Sequence, residues 1–119
     1  LLFFPSYRVM ETCYETWQNH DIYRKIDAVK TLLKEPKDPA QYQIIMDRYY
    51  SSIFEEENGG AILMGVCRGR ISEGLDFSDN AARCVIIVGI PYPQITDAKV
   101  VLKKDYLDRQ CRNPELPNE

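Results

Sequence analysis

Histidine is nearly absent: His20 is the only one in 119 residues. It sits in an Asn19-His20-Asp21 turn, an ordinary surface setting, so a nucleophile–histidine triad is not expected within the chain. There is no HExxH, no nucleophile elbow and no G-x-G-x-x-G. Four cysteines, Cys13, Cys67, Cys84 and Cys111, are separated by 54, 17 and 27 positions. Without a C-x-x-C or similar spacing, no zinc or iron–sulfur site is expected to be built from this chain. Cys67 and Cys84 lie at apolar runs and read as small buried hydrophobes, and the cysteine usage suits a reducing compartment. Long hydrophobic runs are also missing. The longest span seven or eight residues, against the roughly 20 a membrane helix needs, and no signal-peptide pattern opens the chain. Basic charge is in short supply: 15 Lys and Arg against 18 Asp and Glu leave a net charge of −3 and a pI near 5.2. A free-standing nucleic-acid binder is usually basic, so any such role must be local or shared with other parts of a longer protein.

What is present is ordinary globular material, 45% apolar and 28% charged, enough for one domain with a modest core. The opening Leu1-Leu2-Phe3-Phe4, with no initiator Met, reads as an apolar strand belonging to a fragment of something longer. Pro5 breaks that strand, and Ser6 is placed to cap a helix from Tyr7. Val9, Met10, Cys13, Tyr14 and Trp17 recur at helical spacing, and Ile22, Ile26 and Val29 mark a second short helix. Thr31 to Glu35 is expected as a short strand, followed by a charged loop from Lys34 to Pro39. Asp38 then caps, with Pro39 at the first helical position. Tyr42, Ile45, Met46, Tyr49 and Ile53 form the next apolar stripe. Glu55-Glu56-Glu57 reads as a solvated charge run and Asn58-Gly59-Gly60 as a turn.

Ala61 to Val66 and Cys84 to Ile90 are apolar without alternation, the pattern of strands buried on both faces of a parallel sheet. Ala98 to Arg109 reads as a helix burying Val101, Leu102, Tyr106 and Leu107. The fold class is therefore α/β, a mostly parallel sheet flanked by helices. Its three or four strands are few for a complete doubly wound domain.

Open parallel sheets bind ligands at the carboxyl ends of their strands. Two such loops stand out: Pro5-Ser6-Tyr7, and the long segment Cys67 to Asp79. The second is rich in groups suited to phosphate and sugar. Gly69 and Gly74 permit close backbone approach, Arg68 and Arg70 suit phosphate oxygens, Ser72 offers a hydroxyl, and Glu73 and Asp76 accept hydrogen bonds from ribose hydroxyls. An ordinary polar loop carrying turn glycines has the same composition. Gly60 to Gly65 fits the G-x-x-x-x-G half of a P-loop, but Val66-Cys67 stands where Lys-Ser/Thr is required, so that match is rejected.

Leu2-Phe3-Phe4-Pro5-Ser6-Tyr7, Val66-Cys67-Arg68-Gly69-Arg70-Ile71-Ser72-Glu73-Gly74-Leu75-Asp76-Phe77-Ser78-Asp79 and Gly89-Ile90-Pro91-Tyr92-Pro93 resemble the second motor lobe of XPD-like superfamily-two DNA helicases. Within that family the chain is most similar to the branch of the regulator of telomere elongation helicase and the Fanconi anaemia J helicase. The resemblance covers essentially the whole chain. It implies a RecA-like lobe over residues 1–110, with 111–119 as a tail or linker, in an enzyme that couples ATP hydrolysis to 5′-to-3′ movement on single-stranded or forked DNA. The implied setting is DNA repair or genome maintenance in the nucleus.

The same resemblance assigns roles residue by residue. Gly74 and Asp76 would face ATP, Glu73 would couple the two ligands, and Ser6, Arg68 and Ser72 would lie near DNA phosphates. The P-loop, the Mg²⁺ site and a 4Fe–4S cluster would belong to the first lobe, the partner of this one. The family's arginine-finger motif, Gln-x-x-Gly-Arg-x-x-Arg, is absent, and Arg109 and Arg112 lack its context. The lobe is thus expected to be incomplete, with no catalytic residue and no ATPase activity of its own. The competing expectation is a RecA-like module that serves only as a protein-interaction platform, through Trp17 or the Tyr49-Tyr50 pair.

Overall fold

Unbroken apolar segments separated by amphipathic helices assemble into a parallel sheet with helices on both faces. The computed structural model describes residues 1–54, 60–74 and 76–112. In chain order they form β1 (Leu2–Phe4), α1 (Tyr7–Asn19), α2 (Ile22–Asp27), β2 (Thr31–Lys34), α3 (Tyr42–Phe54), β3 (Ala61–Val66), α4 (Arg70–Gly74), β4 (Ile86–Ile87) and α5 (Ala98–Arg112). The sheet order is β2-β3-β1-β4 and every pairing is parallel. Leu2 lies opposite Met64 and Ile86, and Leu33 opposite Leu63. This is the α/β arrangement of a RecA-like lobe.

Alternation along each strand sorts the core into two layers. Leu2, Phe4, Leu32, Met64 and Val66 point to one face, where Met10 of α1 and the flanking Tyr14, Trp17 and Tyr23 cover them. Phe3 and Leu63 point to the other, against Met46 and Tyr49 of α3 and Ile71 of α4. With both faces covered, the strands have no polar side to show, which is why their sequences do not alternate. Both helix starts follow the capping residues. Ser6 Oγ accepts a hydrogen bond from Val9 N at 3.3 Å. Asp38 Oδ1 accepts one from Ala40 N at 2.9 Å, opening a 3₁₀ turn (Pro39–Gln41) that leads into α3. No helix among the described residues is long and apolar enough to cross a membrane.

Several expectations need correction. The segment Cys84 to Ile90 is not a strand buried on both faces. Only Ile86–Ile87 is paired, at the sheet edge, and each of the two is 55% exposed. Val101, Leu102, Tyr106 and Leu107 of α5 are likewise exposed. The two errors share one cause: among the described residues, no strand lies beyond β4 and no element covers its faces or the apolar side of α5. An apolar run reports what a segment needs, not whether these residues supply it. Cys84 is exposed and Cys67 only half-buried, because both fall just outside the paired strands. Val29 is exposed in the turn after α2. β2 stops at Lys34, and α5 runs to Arg112 instead of Arg109. The expected loop after β3 winds into α4 from Arg70. The charge run 55–57, most of the following turn, Leu75 and residues 113–119 lie outside the described residues.

Candidate functional site

Parallel pairing puts the carboxyl ends of β2, β3 and β1 side by side on one edge of the sheet. Each strand hands the chain to a polar segment there: Pro5-Ser6 after β1, Glu35-Pro36 after β2, and Cys67-Arg68-Gly69 after β3. Cys67 N donates to Phe4 O at 2.8 Å, so the third segment starts against the first.

The turn after β3 is tightly built. Gly69 N donates to Val66 O at 2.9 Å, and Glu73 N to Gly69 O at 3.2 Å, launching α4. Ser72 Oγ donates to the same Gly69 carbonyl at 3.0 Å. Arg68, at the tip, is exposed and takes a left-handed φ of 65°, uncommon for a non-glycine residue. The guanidinium of Arg70 lies 5.9 Å from the Tyr42 ring centroid. It shares a cleft of about 70 Å³ with Tyr7, Pro36, Lys37, Pro39 and Tyr42.

Glu35 is the residue that sequence reasoning missed. It is 1% exposed. Its Oε2 accepts from Val66 N at 2.8 Å, and its Oε1 accepts from Tyr7 OH at 3.2 Å. Burial, and next the adjacent Glu35 carboxylate, raise the pKa of the Tyr7 phenol. The same two causes raise that of Tyr42, with Arg70 opposing. The available signal was a carboxylate at the end of a buried strand, the same position that drew attention to the other two loops.

Of the six sequence-predicted site residues, Ser6, Arg68 and Ser72 sit on this edge, at the ends of β1 and β3 and in the first turn of α4. Glu73 and Gly74 occupy the far end of α4, both exposed. Among the described residues nothing lies within 4 Å of where a Gly74 side chain would start, so packing against them does not require glycine there. Gly69 is the opposite case. The close approach it permits is to Glu35 of its own chain: an added Cβ would sit 2.8 Å from Oε1 and 2.8 Å from Val66 O.

Asp76 is exposed beyond α4, and Phe77 then packs edge-on against Tyr49 at 5.9 Å. Tyr49 OH donates to Ala81 O at 2.6 Å, pinning the segment that leads back towards β4. A larger cavity, about 630 Å³, lies at the opposite edge between Leu1, Trp17, Tyr49, Ala61, Arg83 and Ile86. None of the six residues predicted for ATP or DNA lines it, although Trp17 and Tyr49, named for the competing reading, do, and it opens at the amino ends of the strands. The carboxyl edge is therefore the candidate site.

Residues 1–117 match the family model described as the helicase C-terminal domain. The regulator of telomere elongation helicase 1 homolog of Anopheles gambiae is 46% identical over 117 residues, 98% of this chain and 12% of that protein. The mouse regulator of telomere elongation helicase 1 is 46% identical, and the human one 45%, each over 108 residues, 91% of this chain and 9% of theirs. The chain thus spans about a tenth of the length of these relatives. The parallel sheet, the segments at its carboxyl edge and these matches together make the chain a member of the helicase C-terminal domain family.

Proposed function

We propose that this chain works as part of the second motor lobe of an ATP-dependent DNA helicase moving 5′ to 3′ on single-stranded or forked DNA. The observation that supports this reading best is the shared strand edge of Ser6, Arg68 and Ser72, beside a short helix that leads to Glu73, Gly74 and Asp76. Arg68 binds phosphate oxygens of the DNA backbone by charge-assisted hydrogen bonds, and Ser72 by a neutral one from its backbone N–H, its hydroxyl being donated to Gly69 O. Ser6 adds a hydroxyl from the neighbouring loop. Asp76 accepts a hydrogen bond from a ribose hydroxyl of ATP, the open space at Gly74 admits the nucleotide, and Glu73 couples the two ends of α4. Residues 1–110 act as the lobe and 111–119 as its tail.

ATP supplies the phosphoryl group and Mg²⁺ neutralises its charge. Both are held mainly by the first lobe, to which the proposal also assigns a 4Fe–4S cluster. Among the described residues of this chain no three His, Cys, Asp or Glu side chains are grouped to hold a metal. The acidic balance of the chain fits a lobe that makes few DNA contacts and shares the strand with its partner lobe. Action in the nucleus, in DNA repair or telomere maintenance, follows from the same reading.

The test is Arg68→Glu in the full-length protein. DNA-stimulated ATP hydrolysis is expected to fall at least about tenfold, through loss of a phosphate contact and added repulsion. Unchanged stimulation would favour the protein-interaction platform.

A further inference from the structure

We propose that Glu35 is a positioning residue: its buried carboxylate locks the turn after β3 to the ends of β1 and β2, and so fixes where Arg68 and Ser72 meet DNA. The inference rests on the reading of that turn as a DNA contact. Each carboxylate oxygen serves a different element. Oε2 takes the Val66 N–H at the last residue of β3, and Oε1 takes the hydroxyl of Tyr7, the first residue of α1. The backbone of Glu35 is itself tied in, its N–H donating to Met64 O at 2.8 Å.

The turn then rests directly on this carboxylate. A Cβ at Gly69 would lie 2.8 Å from Oε1, closer than real Cβ contacts essentially ever come, and 3.0 Å from Oε2. Arg68 is therefore held between Val66, which Glu35 grips, and Gly69, which packs on Glu35. Its left-handed backbone leaves little freedom of its own. Ser72 is referred to the same point through Gly69 O. A carboxylate in this place is costly to bury and is kept only by its hydrogen bonds. A leucine there would fill the space yet leave the Val66 N–H without a partner. The titratable groups around it are Tyr7 and Tyr42, both neutral phenols at neutral pH, with Arg70 of α4 beside the same two rings.

The test uses the full-length helicase carrying Glu35→Ala, Glu35→Gln, Gly69→Ala, Tyr7→Phe and, as reference, Arg68→Ala. ATP hydrolysis is measured against single-stranded DNA concentration, alongside thermal unfolding. Gly69→Ala and Glu35→Ala are expected to raise the half-saturating DNA concentration about tenfold or more, since a misplaced Arg68 forfeits its charge-assisted contact with phosphate. The rate at saturating DNA stays within about twofold. Glu35→Gln keeps an acceptor for Val66 N and a polar group for Tyr7, and restores most of the DNA response; Tyr7→Phe falls between.

Wild-type DNA saturation in folded Gly69→Ala and Tyr7→Phe variants overturns the proposal, and these two decide it if Glu35→Ala does not fold. Equal losses in rate and DNA response, tracking loss of thermal stability, also overturn it, because they mark a merely structural role. If Arg68→Ala impairs the DNA response while Gly69→Ala and Glu35→Ala do not, only the positioning role falls. If Arg68→Ala leaves it unchanged, the DNA reading of the turn falls with it.

Discussion

Asp76 is exposed, and no partner holds its carboxylate among the described residues. Its removal should therefore change stability by no more than about 0.5 kcal/mol. A charge-assisted hydrogen bond to a ribose hydroxyl would contribute about 1.5–3 kcal/mol. Asp76→Ala is accordingly expected to leave the melting temperature of the chain unchanged and to impair ATP turnover of the full-length protein. A lowered melting temperature with normal kcat and KM would assign the residue to local structure.

Tyr49 is the reverse case, buried and fully used by the fold. Burial, with Tyr50 adding to it, pushes its phenol up to about 12 from an ordinary 10. A raised folded-state pKa means that the neutral form holds the fold. The stability this confers is complete below pH 10 and is lost as pH rises from 10 to about 12. By linkage the loss amounts to about 3 kcal/mol at most. Tyr49→Phe should cost about 1 kcal/mol at neutral pH through the bond to Ala81 O and flatten the alkaline limb of a pH–stability curve. An unchanged alkaline limb would count against this role. Residues such as Ser6 and Asp38 were legible in the sequence because their capping partners lie two or three positions away. Glu35 was not, because the groups it binds are 31 and 28 positions distant and meet it only once the sheet is assembled.

Among the elements, legibility depended on whether the chain supplies its own cover. β1, β3 and the stripe of α3 read correctly because their apolar partners are here, on both faces of the sheet. β4 is as apolar as these strands, and α5 carries an apolar stripe among its charges; their exposure follows from what stands beside them. The helical start of α4 escaped notice because five residues carry too little periodicity to register against two turn glycines. The exposure of α5 has a measurable consequence. Leu102 is 69% exposed, so Leu102→Ser should shift the stability of the chain by no more than about 0.5 kcal/mol. A buried leucine cut back this far would cost about 2–5 kcal/mol. Thermal unfolding of the two chains distinguishes these cases, and a large drop would mean that α5 is packed after all.

For the molecule as a whole, the chemistry of phosphoryl transfer sets what these residues can do unaided. The reaction needs a P-loop to cradle the β- and γ-phosphates, a lysine to reach them, Mg²⁺ and a stabilising arginine. Here two stretches fit G-x-x-x-x-G and both lack the lysine: Gly69 to Gly74, which forms the turn into α4, and Gly60 to Gly65, which runs into β3. The backbone of Gly60 to Gly65 is already engaged: Leu63 pairs with Leu33 in the sheet, and Gly60 N donates to Ser52 O of α3 at 2.8 Å. A backbone already bonded in this way cannot also line a phosphate. Arg109 pairs with Asp105 on the exposed surface of α5 at 2.7 Å, remote in sequence from any strand end. A polypeptide of these 119 residues is therefore expected to hydrolyse no ATP above background, with or without single-stranded DNA. The measurement is phosphate release from purified chain, compared with the same preparation carrying Asp76→Ala. Turnover at a helicase-like rate that persists through repeated purification, and that Asp76→Ala abolishes, would show that the carboxyl edge of this sheet performs the chemistry itself. Background release in both preparations would leave the edge the role argued for it, that of a surface which senses DNA and nucleotide for a reaction completed by the partner lobe.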